Sequence, residues 1–245
     1  NGGVRGNRNM EENTSKEDKE TSFLTCWYQP IYRIDTGEIF GYEALTRGKL
    51  QENFFPAEVL EKARSNGCHT ILDCELLLKA HKTFKNTAKG QLFLNILPST
   101  MTQSGFLCWW DKHFENTDSL VLEISESEAI EDWQALRYIV NSLKERGVKI
   151  AIDDMGSGFS FLRHWVELEP DYVKLDKYYM SDLAQSTAKQ RILHSFIDLI
   201  GDTTNIVVEG IEEIKGFEIV KGMGIKYGQG YLLGMPASIE DYIGE

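Results

Sequence analysis

Five times between residues 92 and 209 the chain repeats one pattern, a short apolar run that brings up a group able to bind a cation or act on a water. The runs are Leu92-Phe93-Leu94-Asn95, Leu120-Val121-Leu122-Glu123-Ile124, Val148 to Asp153, Tyr172-Val173-Lys174-Leu175 and Asn205-Ile206-Val207-Val208-Glu209. Such runs suit strands covered on both faces, as in a parallel sheet. Helical patterns separate several of them. One places Trp133, Leu136, Val140 and Leu143 on a single face and closes at Lys144-Glu145-Arg146-Gly147. Another runs from about Met180 to Ile200, with Leu183, Ile192, Leu193, Phe196 and Ile197 inward, and a shorter one covers Ile214 to Val220. Repeated strand-helix units in 245 residues favour one closed (β/α)8 TIM-type barrel over an open doubly wound sheet. No glycine fingerprint of a dinucleotide fold follows the first strand.

The beginning departs from this rhythm. Residues 1–21 are polar and almost free of large apolar groups, and are expected to form a disordered tail or linker ahead of one domain over 22–245. Cys26 to Tyr32 and Ile39 to Leu45 read as strands joined by the turn Asp35-Thr36-Gly37-Glu38, hence an antiparallel pair. A helix opens at Phe55-Pro56-Ala57-Glu58 and stops at Ser65-Asn66-Gly67. A second follows, with Ile71, Leu72, Cys74, Leu76, Leu77 and Leu78 on a wide buried face.

Ile150-Ala151-Ile152-Asp153-Asp154-Met155-Gly156-Ser157-Gly158 puts two carboxylates at a strand end. Adjacent residues point to opposite sides, so one can face a central site while the other reaches round from the rim. By itself this also fits a plain strand end and turn, where Asp and Gly are common. Similar groups end the other strands: Glu43, Asn95, Glu123, Lys174 and Glu209. Barrel enzymes build their sites from strand C-termini, so these converge if the barrel closes. Carboxylates and an amide, without His or Cys, select Mg²⁺ or Mn²⁺ over zinc. Two such ions about 4 Å apart suit phosphodiester hydrolysis.

A formal charge of −12 without a basic cluster argues against a nucleic-acid duplex or an anionic membrane as partner, and a polyanionic substrate would need cations to bind. Cys26, Cys68, Cys74 and Cys108 form no CxxC pair, which points to neither zinc nor disulfides but to a reducing cytoplasm. No run has the length of a membrane span, and no signal-peptide core is seen.

These residues together resemble the EAL domain, the family of cyclic di-GMP phosphodiesterases. Glu43-Ala44-Leu45 matches its signature, with Arg47 two positions on. Gln29-Pro30-Ile31, Asn95, Glu123-Ile124-Ser125-Glu126, Asp153 to Gly158, Lys174-Leu175-Asp176, Glu209-Gly210-Ile211-Glu212 and Gln229-Gly230-Tyr231 follow in the family's order from about residue 23 onward. The resemblance implies a modified barrel whose first strand is antiparallel, and hydrolysis of cyclic di-GMP to the linear dinucleotide. It implies that Glu43, Asn95, Glu123 and Asp153 bind one metal, and Asp153 and Asp154 the second. Lys174 would hold the attacking water or the developing charge, Glu209 would act as base or metal-supporting carboxylate, and Gln229 would orient the network. Gln29 and Arg47 would contact the nucleotide, and Glu212 and Tyr231 the guanine. Glu126 would anchor the loop Asp154 to Leu162, which also serves a homodimer. A fused or upstream sensory domain is a further implication.

The sequence departs from the family at Met155, Ser157, Phe159, Phe161, Leu97 and Glu213, none of them a ligand position. These bear on loop motion and rate more than on the existence of activity. Read blandly, Glu43 and Lys174 are strand-end charges and Asn95 caps a turn, although Lys174 has apolar neighbours and Asp176 close by to orient it. Gly156 and Gly158 suit turns, the five histidines show no ligand pairing, and Trp109-Trp110 reads as a packing or partner-facing element. The rival readings are a cyclic di-GMP receptor without turnover and a protein-interaction module.

Overall fold

The computed structural model describes residues 24–48, 62–125, 128–155 and 161–243. Eight strands close into a barrel in chain order. They are β1 (Leu24–Arg33), β2 (Ile39–Gly48), β3 (Gln91–Ile96), β4 (Leu120–Ser125), β5 (Lys149–Met155), β6 (Tyr172–Leu175), β7 (Asn205–Val208) and β8 (Tyr227–Gly228). β1 lies antiparallel to both neighbours, β2 and β8, and all other pairs are parallel. The expected fold is thus present, hairpin included. β8 has no signature in the sequence, because two residues are too few to show a period.

The α-helices that lie wholly within the described residues are α1 (His69–Lys85), α2 (Pro98–Met101), α3 (Phe106–His113), α4 (Trp133–Lys144), α5 (Phe161–Leu168), α6 (Thr187–Ile200) and α7 (Ile214–Gly222). α4 begins where the Asp132 side chain accepts from Ala135 N, and buries Leu136, Val140 and Leu143 as its spacing requires. α6 starts seven residues later than the periodicity suggests, because Ser186 accepts from Lys189 N and so fixes the start there. Ile192, expected inward, is 41% exposed. The proposed 1–21 tail and most of the helix from Pro56 lie outside the described residues; residues 62–65 are helical and a turn follows at 66–67, as the Ser65-Asn66-Gly67 stop requires.

Strand alternation divides the core. Leu92, Leu94, Leu120, Leu122 and Ile150 face outward into the helical layer with Tyr28, Leu136 and Trp110. Ile31, Phe93, Val121, Ala151, Tyr172, Val207 and Tyr227 form a separate buried cluster against Phe40, filling the barrel itself. Trp110 is 1% exposed and stacks on Phe114 at 4.1 Å and 8°, so of the Trp109-Trp110 pair this member is a packing residue.

Asp73 on α1 fastens the exit of β3. Its Oδ2 accepts from Leu97 N at 3.0 Å and from Thr100 Oγ1 at 2.8 Å. Burial nonetheless pushes the carboxyl up to about 6, against these two hydrogen bonds. A folded value above the unfolded 3.8 means that the folded state holds the extra proton; the contribution is fully present below about pH 4 and is lost as pH rises through 6. Asp73→Asn keeps an acceptor oxygen and does not ionise. Its stability relative to the native chain should therefore rise by about 2 kcal/mol between pH 4 and pH 7.5 in urea unfolding. Asp73→Ala should cost about 1–3 kcal/mol. An unchanged difference across pH would contradict the assignment.

Candidate active site

Two residues further toward the mouth, each strand of the barrel plug presents a polar side chain on the same side. Phe93 is followed by Asn95, Val121 by Glu123, Ala151 by Asp153, Tyr172 by Lys174, Val207 by Glu209 and Tyr227 by Gln229. On the antiparallel β1 the order reverses, so Gln29 precedes Ile31, and Gln29 pairs with Glu43 of β2. The period of two along a strand therefore stacks a polar layer directly on an apolar one.

Lys174 stands at the centre of that layer. It is 1% exposed, and its Nζ lies 2.8 Å from Glu209, 2.9 Å from Glu123, 3.0 Å from Glu43 and 3.1 Å from Asp153. Burial alone would lower its pKa, but Asp153, Glu123, Glu209 and Glu43 outweigh it and raise it well above the ordinary lysine range. One ammonium cannot balance four carboxylates, so their ionisation separates. Burial pushes Glu123 well up, in spite of Lys174. Glu209 is pushed up to about 8, chiefly by burial, with Asp153 and Glu43 adding to it. Burial also acts on Glu43, but Lys174 and hydrogen bonds from Gln229 and Asn95 hold it below the usual carboxylate range.

Asp153, Asp154 and Glu209 each offer a ligand oxygen, and these lie within 4.8 Å of one another. Adjacent residues of a regular strand would diverge, but here the β5–β6 register shifts between Ile152 and Met155, and Asp154 has φ +56°. A bulge of this kind re-aims a side chain, and it lets both aspartates serve one site. Burial and the Asp153 charge push Asp154 up to about 6. Glu123 Oε2 and Gln229 Oε1 are buried without a hydrogen-bond partner. Orphaned oxygens beside an excess of carboxylates suit a hard divalent cation. The residues fit a divalent cation.

The amides tie the layer together. Gln229 Nε2 donates to Glu43 Oε2 at 2.7 Å and to Gln29 Oε1 at 2.9 Å, Asn95 Nδ2 donates to Glu43 Oε1 at 3.1 Å, and Gln29 Nε2 donates to the Gly234 carbonyl at 3.1 Å. Gly230 is close to required beside them, since a Cβ there would sit 2.2 Å from Ile211 N. A cavity of 260 Å³ opens above, lined by Gln29, Glu43, Asp154, Glu209, Glu212 and Tyr231. Arg47 lies farther up β2, its guanidinium 5.9 Å from the Trp27 ring centroid. Glu126 and residues 156–160 lie outside the described residues. Asp176, expected to orient Lys174, instead accepts from Tyr178 N at 2.8 Å and caps a 3-10 turn, because it sits one residue beyond the strand. Lys177 and Gly210 also line the cavity, outside the sequence-read set; the glycine directly after a strand-end glutamate was the available signal, and its φ is +70°.

The EAL domain sequence profile matches residues 13–236. The chain is 28% identical over 242 residues to the probable cyclic di-GMP phosphodiesterase PdeA of Escherichia coli K12, covering 94% of this chain and 32% of that protein. Among solved structures, the PaMucR phosphodiesterase in its c-di-GMP complex superposes with a TM-score of 0.80 at 25% identity, over 96% of this chain and 99% of that one. The Klebsiella pneumoniae BlrP1 manganese and cy-diGMP complex gives 0.79 at 25% identity, over 88% of this chain and 56% of that one. The chain spans about a third of the length of the curated relatives it matches.

Proposed function

Because this chain belongs to the EAL domain family, we propose that it hydrolyses one phosphodiester of cyclic di-GMP, giving the linear dinucleotide pGpG, with two Mg²⁺ or Mn²⁺ ions. The observation that carries this is the oxygen-only cluster around Lys174, with its buried unpartnered carboxylate oxygen and the Asp153, Asp154 and Glu209 group beside it. Glu43, Asn95, Glu123 and Asp153 would hold one ion, and Asp153, Asp154 and Glu209 the other. When bound, the pair supplies an activated water and charge compensation for the phosphate.

The chain's own groups do the rest. Lys174 faces the water or the charge that develops at phosphorus, and its surrounding carboxylates keep it protonated. Glu209 accepts a proton from the water. Gln229 and Asn95 clamp the Glu43 carboxylate so that its oxygens hold one direction, and Gln29 braces Gln229. Arg47 takes a phosphate oxygen through paired N–H donors, while Glu212 and Tyr231 at the cavity rim contact guanine. Glu126 would anchor the loop after Asp154, through which two copies would pair. A cytosolic setting and a fused sensory domain belong to the same reading. No helix among the described residues is long and apolar enough to cross a membrane.

Chromatography of the products formed from cyclic di-GMP tests this directly. With Mg²⁺ or Mn²⁺ the native chain should yield pGpG, and Glu43→Ala, or the native chain stripped by EDTA, should yield none; adding metal back should restore only the latter. No product from the native chain with either ion would end the hydrolase reading, and tight binding without turnover would favour a receptor.

A further inference from the structure

Two strands that carry proposed ligands part just beyond them. β3 and β4 pair in parallel from Leu92 opposite Leu120, through Asn95 opposite Glu123, to Ile96 opposite Ile124, and there the ladder ends. Asn95 is exposed, so packing does little to fix it, and its Nδ2 donates to Glu43 at 3.1 Å. Its orientation therefore depends on how the residues after it are held. They form the short helix α2, whose N-cap is Leu97, one of the departures from the family, and leucine has no acceptor for the first helical N–H groups. Carboxylates from elsewhere take that place. Asp73 on α1 holds Leu97 N and Thr100 Oγ1, and Glu128 Oε2 accepts from Ser99 N at 2.9 Å. Ser99 Oγ also lies 3.3 Å from His69 Nε2, so its side chain meets α1 while its amide is held from the β4 side. Glu128 stands five residues beyond Glu123, on the segment by which β4 leaves the barrel. Its bond to Ser99 spans the two exits where the ladder no longer does.

We propose that Glu128 is a positioning residue for the metal site: by holding Ser99 N it ties the exit of β3 to that of β4, and so keeps Asn95 and Glu123 at the spacing one ion needs. This deepens the phosphodiesterase reading and rests on it for the presence of the ion. A carboxylate that accepts from a backbone N–H makes a charge-assisted contact, strong enough to set where a strand end goes. Glu128 itself touches neither ion nor substrate, so its loss acts on metal affinity and leaves KM alone. The probe is Mn²⁺ alone, titrated into the full 245-residue chain without nucleotide and followed by the electron paramagnetic resonance of the free ion. Glu128→Ala should weaken Mn²⁺ binding roughly tenfold or more, as replacement of a group that orients a ligand does. Glu128→Gln, which keeps an acceptor oxygen, should recover most of that loss. At saturating Mn²⁺ the kcat of Glu128→Ala on cyclic di-GMP should return to within about twofold of the native value, with KM unchanged. Asn95→Ala should weaken Mn²⁺ binding by itself, and Glu128→Ala added to it should cost no more than about twofold further, because the two act along one line.

Native Mn²⁺ affinity in Glu128→Ala would overturn the proposal. So would an undiminished loss in the Asn95→Ala background, which would make Glu128 a structural support with no route through Asn95. A native chain that holds Mn²⁺ but forms no product, with Glu128→Ala weakened as expected, would keep the positioning role and discard the hydrolase reading.

Discussion

Lys174→Met is expected to destabilise the protein in EDTA by about 3–5 kcal/mol, because removing one partner of a buried charge network leaves the others uncompensated. The ammonium is the cation shared by Glu43, Glu123, Asp153 and Glu209, and it is 1% exposed. For a chain of this length that loss corresponds to roughly 6–20 °C in Tm. Proton uptake limits it, since Glu123 and Glu209 already hold their protons more tightly than ordinary carboxylates. Divalent ions should recover part of the stability, as they bind the folded state and replace the missing charge. Thermal unfolding in EDTA and in millimolar Mg²⁺ reads both effects. A Tm within 2 °C or so of the native chain in EDTA would show that the four contacts carry little net energy. Turnover should fall in either case, for the variant has no ammonium to face the water.

Asp153→Asn is expected to lower activity as well, but without the loss of stability. Asp153 is the residue common to the lysine cluster and to the Asp154 and Glu209 group, so an amide there weakens the hold on both ions. Residues one step removed from a metal typically cost 10- to 100-fold when replaced, and a direct ligand should cost at least about a hundredfold in kcat/KM. Stability in EDTA should stay level or increase, because the change removes one negative charge from a site that carries more than Lys174 can offset. Initial rates on cyclic di-GMP and urea unfolding in EDTA decide the matter. Near-native activity would mean that the ions sit elsewhere, and strong destabilisation would mean that Asp153 stabilises Lys174 more than it repels its neighbours.

Much of this could be read before any coordinates. Strands β3 to β7 follow from their apolar runs, and the residues that face the site follow from counting two beyond each plug residue, because strand alternation is local. Helix α4 is legible for the same reason, its stripe and cap being written within one turn of each end. The start of α6 is not, since apolar residues at 180 and 183 imitate a helical spacing that Ser186 capping delays. Asp154 also escapes such counting, because a bulge re-aims it and a bulge depends on how the neighbouring strand pairs.

The order of residues by itself determined which side chains share a face, and therefore that carboxylates, an amide and one lysine would sit at strand ends. Closure of the barrel decided the rest. Only when eight strands, one of them just two residues long, complete the ring do side chains as far apart as Gln29 and Gln229, 200 positions, come within hydrogen-bond reach. The physical reason is range: alternation is set by each residue's own geometry, whereas the burial of Lys174 and the separated ionisation of its carboxylates depend on water being excluded by every strand at once.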